Sequence, residues 1–301
     1  MIFHVQQAIR AFILLAFSVM LFKLHFSGEM TKFINPKYEG LSQSASVLFL
    51  VLFIIQVTRI WTAREQDHLH HNNCHQDAHD CSHDHGDSPF NTKKLIAYLV
   101  IVFPLATGFL LPAKVLDASI MDKKGGMAVL TNQRISNEEK KETNIQEFSA
   151  VNPEEIGSSK EITKEEYEQL KQNLIESTTI ELNDDVYSTY YDEIHLDVQK
   201  FKGREIQLKG FVYKEDGLEP DQLVIARFLI THCVADAGII GFLSEIPEAS
   251  ALSQDTWIEA KGFLDTTTFN GTELPVIKIT NWKEISQPKQ PYLYPISIRI
   301  L

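Results

Sequence analysis

Apolar residues are not spread evenly along this chain. Three apolar blocks crowd the first 113 residues, and short alternating or β-branched runs fill the last hundred. The first block runs Ile9–Phe26, with an uninterrupted stretch from Ala11 to Phe22 bracketed by Arg10 and Lys23. The second runs Leu41–Thr58 and closes on Arg59 and Trp61. The third runs Leu95–Ala113 behind Lys93 and Lys94. About 18 residues at 1.5 Å each cover most of a ~30 Å hydrocarbon layer, so all three read as membrane spans. A cleaved signal peptide is disfavoured for the first block, because Lys23-Leu24-His25-Phe26 offers no small-x-small site. Pro104 lies inside the third block, where it removes one helix hydrogen bond and predicts a kink and a neighbouring helix.

The period changes after residue 130. Between Ser136 and Asp185 fourteen Asp or Glu face five Lys, a net of −9, which reads as a solvated tether. Within it Thr163 and Glu166 form a capping-box pattern, followed by Tyr167, Leu170 and Leu174 at helical spacing. Five strand-like runs then follow a mixed apolar and acidic segment at 187–198. They are Glu205–Tyr213, Gln222–Thr231, Gly238–Leu243, Thr256–Asp265 and Leu274–Trp282. Asp216-Gly217, Asp236-Ala237-Gly238 and Asn270-Gly271 punctuate them as turns. Gly210 and Gly262 fall inside the first and fourth runs, where tight coiling needs a missing side chain.

The predicted fold is therefore an N-terminal transmembrane α-helical region of three spans plus a C-terminal mainly-β domain, an OB-like five-stranded barrel. A two-sheet sandwich is the alternative for the β part. The domain limits are 1–115 for the membrane region, 116–185 for the acidic linker with its short helix, and 186–301 for the β domain. Lys and Arg are nearly balanced around the spans. The pairs Arg59/Arg64 and Lys93/Lys94 lean the middle loop to the cytoplasm and the C-terminal domain to the outside of a multi-pass protein.

Charge narrows the function. A formal net charge of −12 deprives the chain of the basic face a nucleic-acid binder needs, so the OB-like pattern does not carry that function with it. The densest chemistry lies at Asp67–Asp87. Seven of the chain's eleven His (His68, His70, His71, His75, His79, His83 and His85) and two of its three Cys (Cys74 and Cys81) fall there. Imidazole and thiolate suit zinc or a similar divalent cation. The six residues between Cys74 and Cys81, with no apolar core after them, point to a multi-ion tract, not one tetrahedral finger. A plain polar loop and a His-based pH sensor are the other readings.

A second candidate metal or ligand site is His232, Cys233 and Asp236, three donors within five positions at the end of a strand. The bland alternative has Cys233 packed as a small hydrophobe and Asp236 capping a turn. Catalysis by Cys233 needs a base. His232 is badly placed, because adjacent strand residues face opposite ways, and His195 is the other candidate. With no phosphate loop and no hydrolase elbow, the expectation is a protein that is not an enzyme.

Several stretches resemble the YcgQ-like family of bacterial membrane proteins, described as permease subunits. They are His25-Phe-Ser-Gly28 with Tyr38-Glu-Gly-Leu41, the Pro104–Pro112 segment and Lys124-Gly125. Arg227 through Ala237, Trp257–Gly262 and the Pro288-x-x-Pro291-Tyr292-Leu293 pattern complete the set. Relatives appear with Cys-Cys where this chain has His232-Cys233, a change a zinc-like site tolerates and a dithiol redox pair does not. The resemblance implies a multi-spanning permease as partner in the same bilayer. Together with the His tract it gives the leading expectation, an accessory subunit in divalent metal transport or homeostasis. The alternative is a membrane-anchored binding module with no metal role.

Overall fold

A computed structural model describes residues 2–3, 5–62, 92–120, 161–215, 217–269 and 271–299. The chain divides into two compact units. One comprises residues 1–30 and 39–113, and the other residues 31–38 and 114–301.

The first unit is helical. Helix α1 spans Val5–Phe26, α2 Glu39–Thr58 and α3 Thr92–Leu110. Two apolar helices, Val5–Phe26 and Pro36–Thr58, are long enough to cross a bilayer. They are not core helices of a soluble protein. Val47, Leu48, Ile54 and Ile55 of α2 are each more than half exposed, as a lipid-facing surface requires. The third block falls short of its expected length. Its apolar part ends at Leu110, where the helix stops before Pro112, a residue that disfavours helix at the position ahead of it. Pro104 sits within α3, which continues through it, and Thr107 Oγ1 donates to the Pro104 carbonyl at 3.0 Å.

Two pairs of polar side chains tie α1 to α2. Ser18 Oγ donates to the Ser46 carbonyl at 3.0 Å, and Ser46 Oγ donates back to the Ser18 carbonyl at 3.1 Å. Gln56 Nε2 donates to Gln7 Oε1 at 2.5 Å. Such bonds satisfy groups that lipid cannot.

The second unit is mainly β. Strand β1 is Glu161–Thr163, β2 Thr179–Leu182, β3 Glu205–Tyr213, β4 Gln222–Leu229 and β5 Gly238–Glu245. Strand β6 is Trp257–Phe269, β7 Thr272–Glu284, β8 Tyr292–Leu293 and β9 Ser297–Arg299. The five expected runs correspond to β3 to β7. Strand β3 pairs antiparallel with β4 (Phe211 opposite Ala226) and with β6 (Leu208 opposite Ala260). Strand β4 pairs antiparallel with β5, β5 parallel with β7, and β7 antiparallel with β6. Each of the five thus has two neighbours within the set. Strand β2 adds in parallel to β3, and β8 in parallel to β4.

Both faces of β4 are buried, which is why it reads as a nearly continuous apolar run. Leu223, Ile225 and Leu229 enter one core cluster with Ile206, Leu208, Phe242 and Ile277. Val224, Ala226 and Phe228 enter a second with Phe211, Trp257, Val276 and Tyr292. Arg227 is the exception on β4. It is 1% exposed, lies over the Trp257 ring and pairs with Asp184 at 2.8 Å. Gly210 lets strands approach closely, because a Cβ there would sit 2.7 Å from the Ala226 carbonyl oxygen.

The capping box forms as the sequence predicts. Glu166 N donates to Thr163 Oγ1 at 3.2 Å, and Thr163 N donates to Glu166 Oε2 at 2.8 Å. It opens α4, Lys164–Glu176. This helix and β2, which the charge pattern groups with the tether, supply Leu174, Ile180 and Leu182 to the core. Their charges mark only the solvent face. Helix α5, Tyr187–Leu196, packs Tyr187, Tyr191 and Ile194 into the same cluster.

Candidate functional site

The His-rich tract, with His68, His70, His71, Cys74, His75, His79, Cys81, His83 and His85, lies outside the described residues. Among the described residues there is no group of three or more His, Cys, Asp or Glu arranged to hold a metal ion. The second candidate, His232, Cys233 and Asp236, is described and can be built atom by atom.

Strand β4 ends at Leu229, and the chain turns through 230–237 before β5 begins at Gly238. Residues Val234–Asp236 form a single 3-10 turn. One carboxylate organises it. Asp236 Oδ2 accepts from the His232 backbone N–H at 2.9 Å and lies 2.8 Å from His232 Nδ1, while Oδ1 accepts from the Cys233 N–H at 3.2 Å. The Cys233 side chain in return accepts from the Asp236 N–H. Partial burial opposes ionisation of Asp236, but the bonds from His232 and Cys233 outweigh it and hold the carboxyl below its ordinary pKa. The three residues do converge, and the convergence is structural in form: Asp236 spends its oxygens on the turn. His232 Nε2 is the donor left over, with the imidazole oriented through Nδ1 as a ligating or hydrogen-bonding His would be.

The turn has a partner that sequence reasoning missed. Residues 31–38, which join α1 to α2, form a strap that belongs to the β unit. Ile34 makes an antiparallel bridge with Cys233. Asn35 N donates to the His232 carbonyl at 2.9 Å, and Val234 N donates to the Phe33 carbonyl at 2.8 Å. Asn35, 3% exposed, donates from Nδ2 to the Thr231 carbonyl at 2.9 Å and accepts the Lys37 N–H at 3.0 Å. The Tyr38 ring stacks on His232 with centroids 5.7 Å apart. Lys37 Nζ reaches Glu161 at 3.2 Å, and Tyr294 Oη donates to the Thr31 carbonyl at 3.1 Å. The one local signal was Asn35-Pro36, a turn-forming pair. The pairing with residue 233 is 199 positions away and leaves no periodic trace.

His195, the other base considered for Cys233, is committed elsewhere. Its Nδ1 lies 2.8 Å from the Tyr191 carbonyl, and its ring packs against Tyr191 and Phe242. Burial lowers its pKa to about 4, so the ring is neutral at pH 7.

Residues 9–127 match the DUF1980 N-terminal domain, and residues 158–295 match the DUF1980 C-terminal domain. The chain belongs to the DUF1980 family. It is similar to the UPF0703 protein YcgQ of Bacillus subtilis, 32% identical over 291 residues that cover 95% of this chain and 98% of the relative. It is also similar to a Streptococcus mutans protein named provisionally as a two-component membrane permease complex subunit. That match is 25% identical over 293 residues, again 95% of this chain and 98% of the relative. The expected YcgQ-like membership is therefore established, and with the apolar helices it makes this a membrane-associated protein.

Proposed function

We propose that this chain is an accessory subunit of a membrane permease complex, anchored by three crossings and working beside a multi-spanning partner. The carrying observation is the end-to-end similarity to the Streptococcus mutans protein whose name places it in such a complex. The strap supports the crossing count independently of hydropathy. Residues 31–38 and 114–301 belong to one folded unit, so both must lie on one side of the bilayer. If α2 crosses, the chain leaves that side after Tyr38 and must return before Lys114, and α3 is the segment available for the return. Three helices with few intramembrane charges make a poor pathway, which favours a subunit over a transporter in its own right. The β unit, in this reading, is an OB-type barrel closed through β3-β4-β5-β7-β6 and faces outward, with residues 67–87 on the cytoplasmic side. The divalent-cation cargo, zinc foremost, rests on the His and Cys density of that tract alone.

Purification of the tagged full chain from its native membrane in mild detergent tests the reading. A multi-spanning protein should co-purify in near-equal amount, and recovery of the chain alone would overturn the subunit assignment. Zinc content of the same preparation, with and without residues 67–87, decides the cargo. Loss of at least about one equivalent on deletion is expected, and equal content in both ends the metal arm.

A further inference from the structure

We propose that the strap 31–38 is a mechanical coupler through which the β unit acts on the α1–α2 hairpin, with the turn 230–237 as its clasp. The inference rests on membrane anchoring of α1 and α2 but not on the identity of any permease partner.

A connection between two membrane helices needs no grip on a distant domain. A short polar loop suffices. This connection is instead held at several points along its length. The Ile34–Cys233 bridge fixes its middle, and the buried Asn35 amide ties it to the end of β4. Lys37 reaches Glu161 of β1 and donates to Ser297 Oγ of β9 at 3.2 Å. Tyr294 holds Thr31 near the other end. The clasp itself is shaped by one side chain, Asp236, through its three contacts to His232 and Cys233.

Slack decides whether such a grip transmits anything. On the α2 side there is none: the 3-10 turn Pro36–Tyr38 runs directly into α2 at Glu39. A displacement of the 230–237 turn that carries Asn35 with it must move or unwind the first turn of α2. On the α1 side a second 3-10 turn, Glu29–Lys32, leads out of the strap, and only Ser27 and Gly28 lie between it and α1. The strap therefore links an event at the β unit to both helices, and most directly to α2, which it enters without an intervening residue.

The bridge supplies its own test. The bonds flanking Ile34 and Cys233 make them a non-hydrogen-bonded antiparallel pair, with Cα atoms roughly 4.5 Å apart, within reach of a disulfide. Full-length chain carrying Cys74→Ser and Cys81→Ser is reconstituted in lipid nanodiscs, with and without Ile34→Cys. Diamide, which takes up the two electrons and two protons released, joins residue 34 to Cys233. Hydrogen exchange is then read at Ser44–Leu48 of α2. The disulfide should slow exchange there about tenfold, and Asp236→Ala should speed it by a similar factor. Asn35→Ala serves as the second loosening variant if Asp236→Ala does not fold. Failure of the disulfide to form in a folded chain would overturn the proposal. So would unchanged α2 exchange when exchange at 232–237 shows the clasp open. Neither readout involves a permease, so loss of the subunit assignment would leave this result standing.

Discussion

Glycine meets different neighbours in the two units, and the contrast shows what each unit can absorb. In α3, a Cβ on Gly108 would approach the Met20 sulfur at 2.7 Å, the end of a flexible side chain that can swing away. In β6, a Cβ on Gly262 would run into the backbone of Lys278 and Ile279 on the paired strand β7. That neighbour is held by the ladder on both sides of a register shift between Lys261 and Gly262. The helical unit packs through side chains that can yield, and the β unit through main chains that cannot. Gly262→Ala should therefore be the most damaging small change in the molecule, costing about 3 kcal/mol or more, whereas Gly108→Ala should stay within about 1 kcal/mol. Denaturant unfolding of the full chain in detergent, followed by fluorescence of Trp257 and Trp282, measures the first. Comparable losses at both positions would erase the distinction.

Buried polar groups divide along the same line. In the β unit His195 is held neutral among aromatic rings, with its pKa lowered to about 4. The unfolded chain takes up that proton near pH 6.5, so the unfolded state binds more protons between the two values. Stability from this residue is full above pH 6.5 and falls as pH drops from 6.5 to 4. The total loss is up to about 3 kcal/mol. Below pH 4 the loss is complete and adds no further slope. His195→Phe, which keeps a ring beside Tyr191 and Phe242, should flatten the stability profile over that window. Carboxylates such as Glu259, held down mainly by its bond from Lys283, titrate lower and should leave the difference between the two proteins untouched. An unchanged acid slope in the variant would mean that the ring is accessible to protons in the folded chain.

How far the fold was legible follows from which interactions are local. The five long strands could be read because each carries its own pattern, alternation in β3 and β6 and two-sided burial in β4. The capping box at Thr163 spans four residues and declares itself. Helix α4 is legible from its capping box, but it and strand β2 fall to an acidic tether instead of the β domain, because fourteen acids outweigh the few residues they bury, Leu174 of α4 and Ile180 and Leu182 of β2. At the candidate site the sequence brought Cys233 and Asp236 together in a turn, as their spacing suggested. It could not reveal that the turn grips Asn35, since an amide that hydrogen-bonds carbonyls across nearly two hundred residues has no signature except being Asn where a loop would accept anything polar. Nor did block length along the chain anticipate the early end of α3. Pro112 was visible, but hydropathy counted through it.

The smallest effect lies in the helices and tests the comparison where it is weakest. Ser18 and Ser46 exchange hydroxyl-to-carbonyl bonds across α1 and α2, and both side chains are buried from lipid. In hydrocarbon an unpaired hydroxyl has no water to turn to, which argues for a large contribution. A serine hydroxyl on a helix, however, can fall back on the carbonyl of its own preceding turn, so the separated state is not bare. That fallback limits each bond to about 0.6 kcal/mol. Ser18→Ala and Ser46→Ala should each weaken α1–α2 association by about that amount, and the double variant by about the sum, because each hydroxyl uses a different carbonyl. Steric trapping or a reversible association assay in lipid would resolve the difference. A loss above about 2 kcal/mol for one serine would mean that the helices are pinned by fixed polar contacts as firmly as the β unit is by its backbone, and the contrast between yielding and unyielding packing would fail at its most sensitive point.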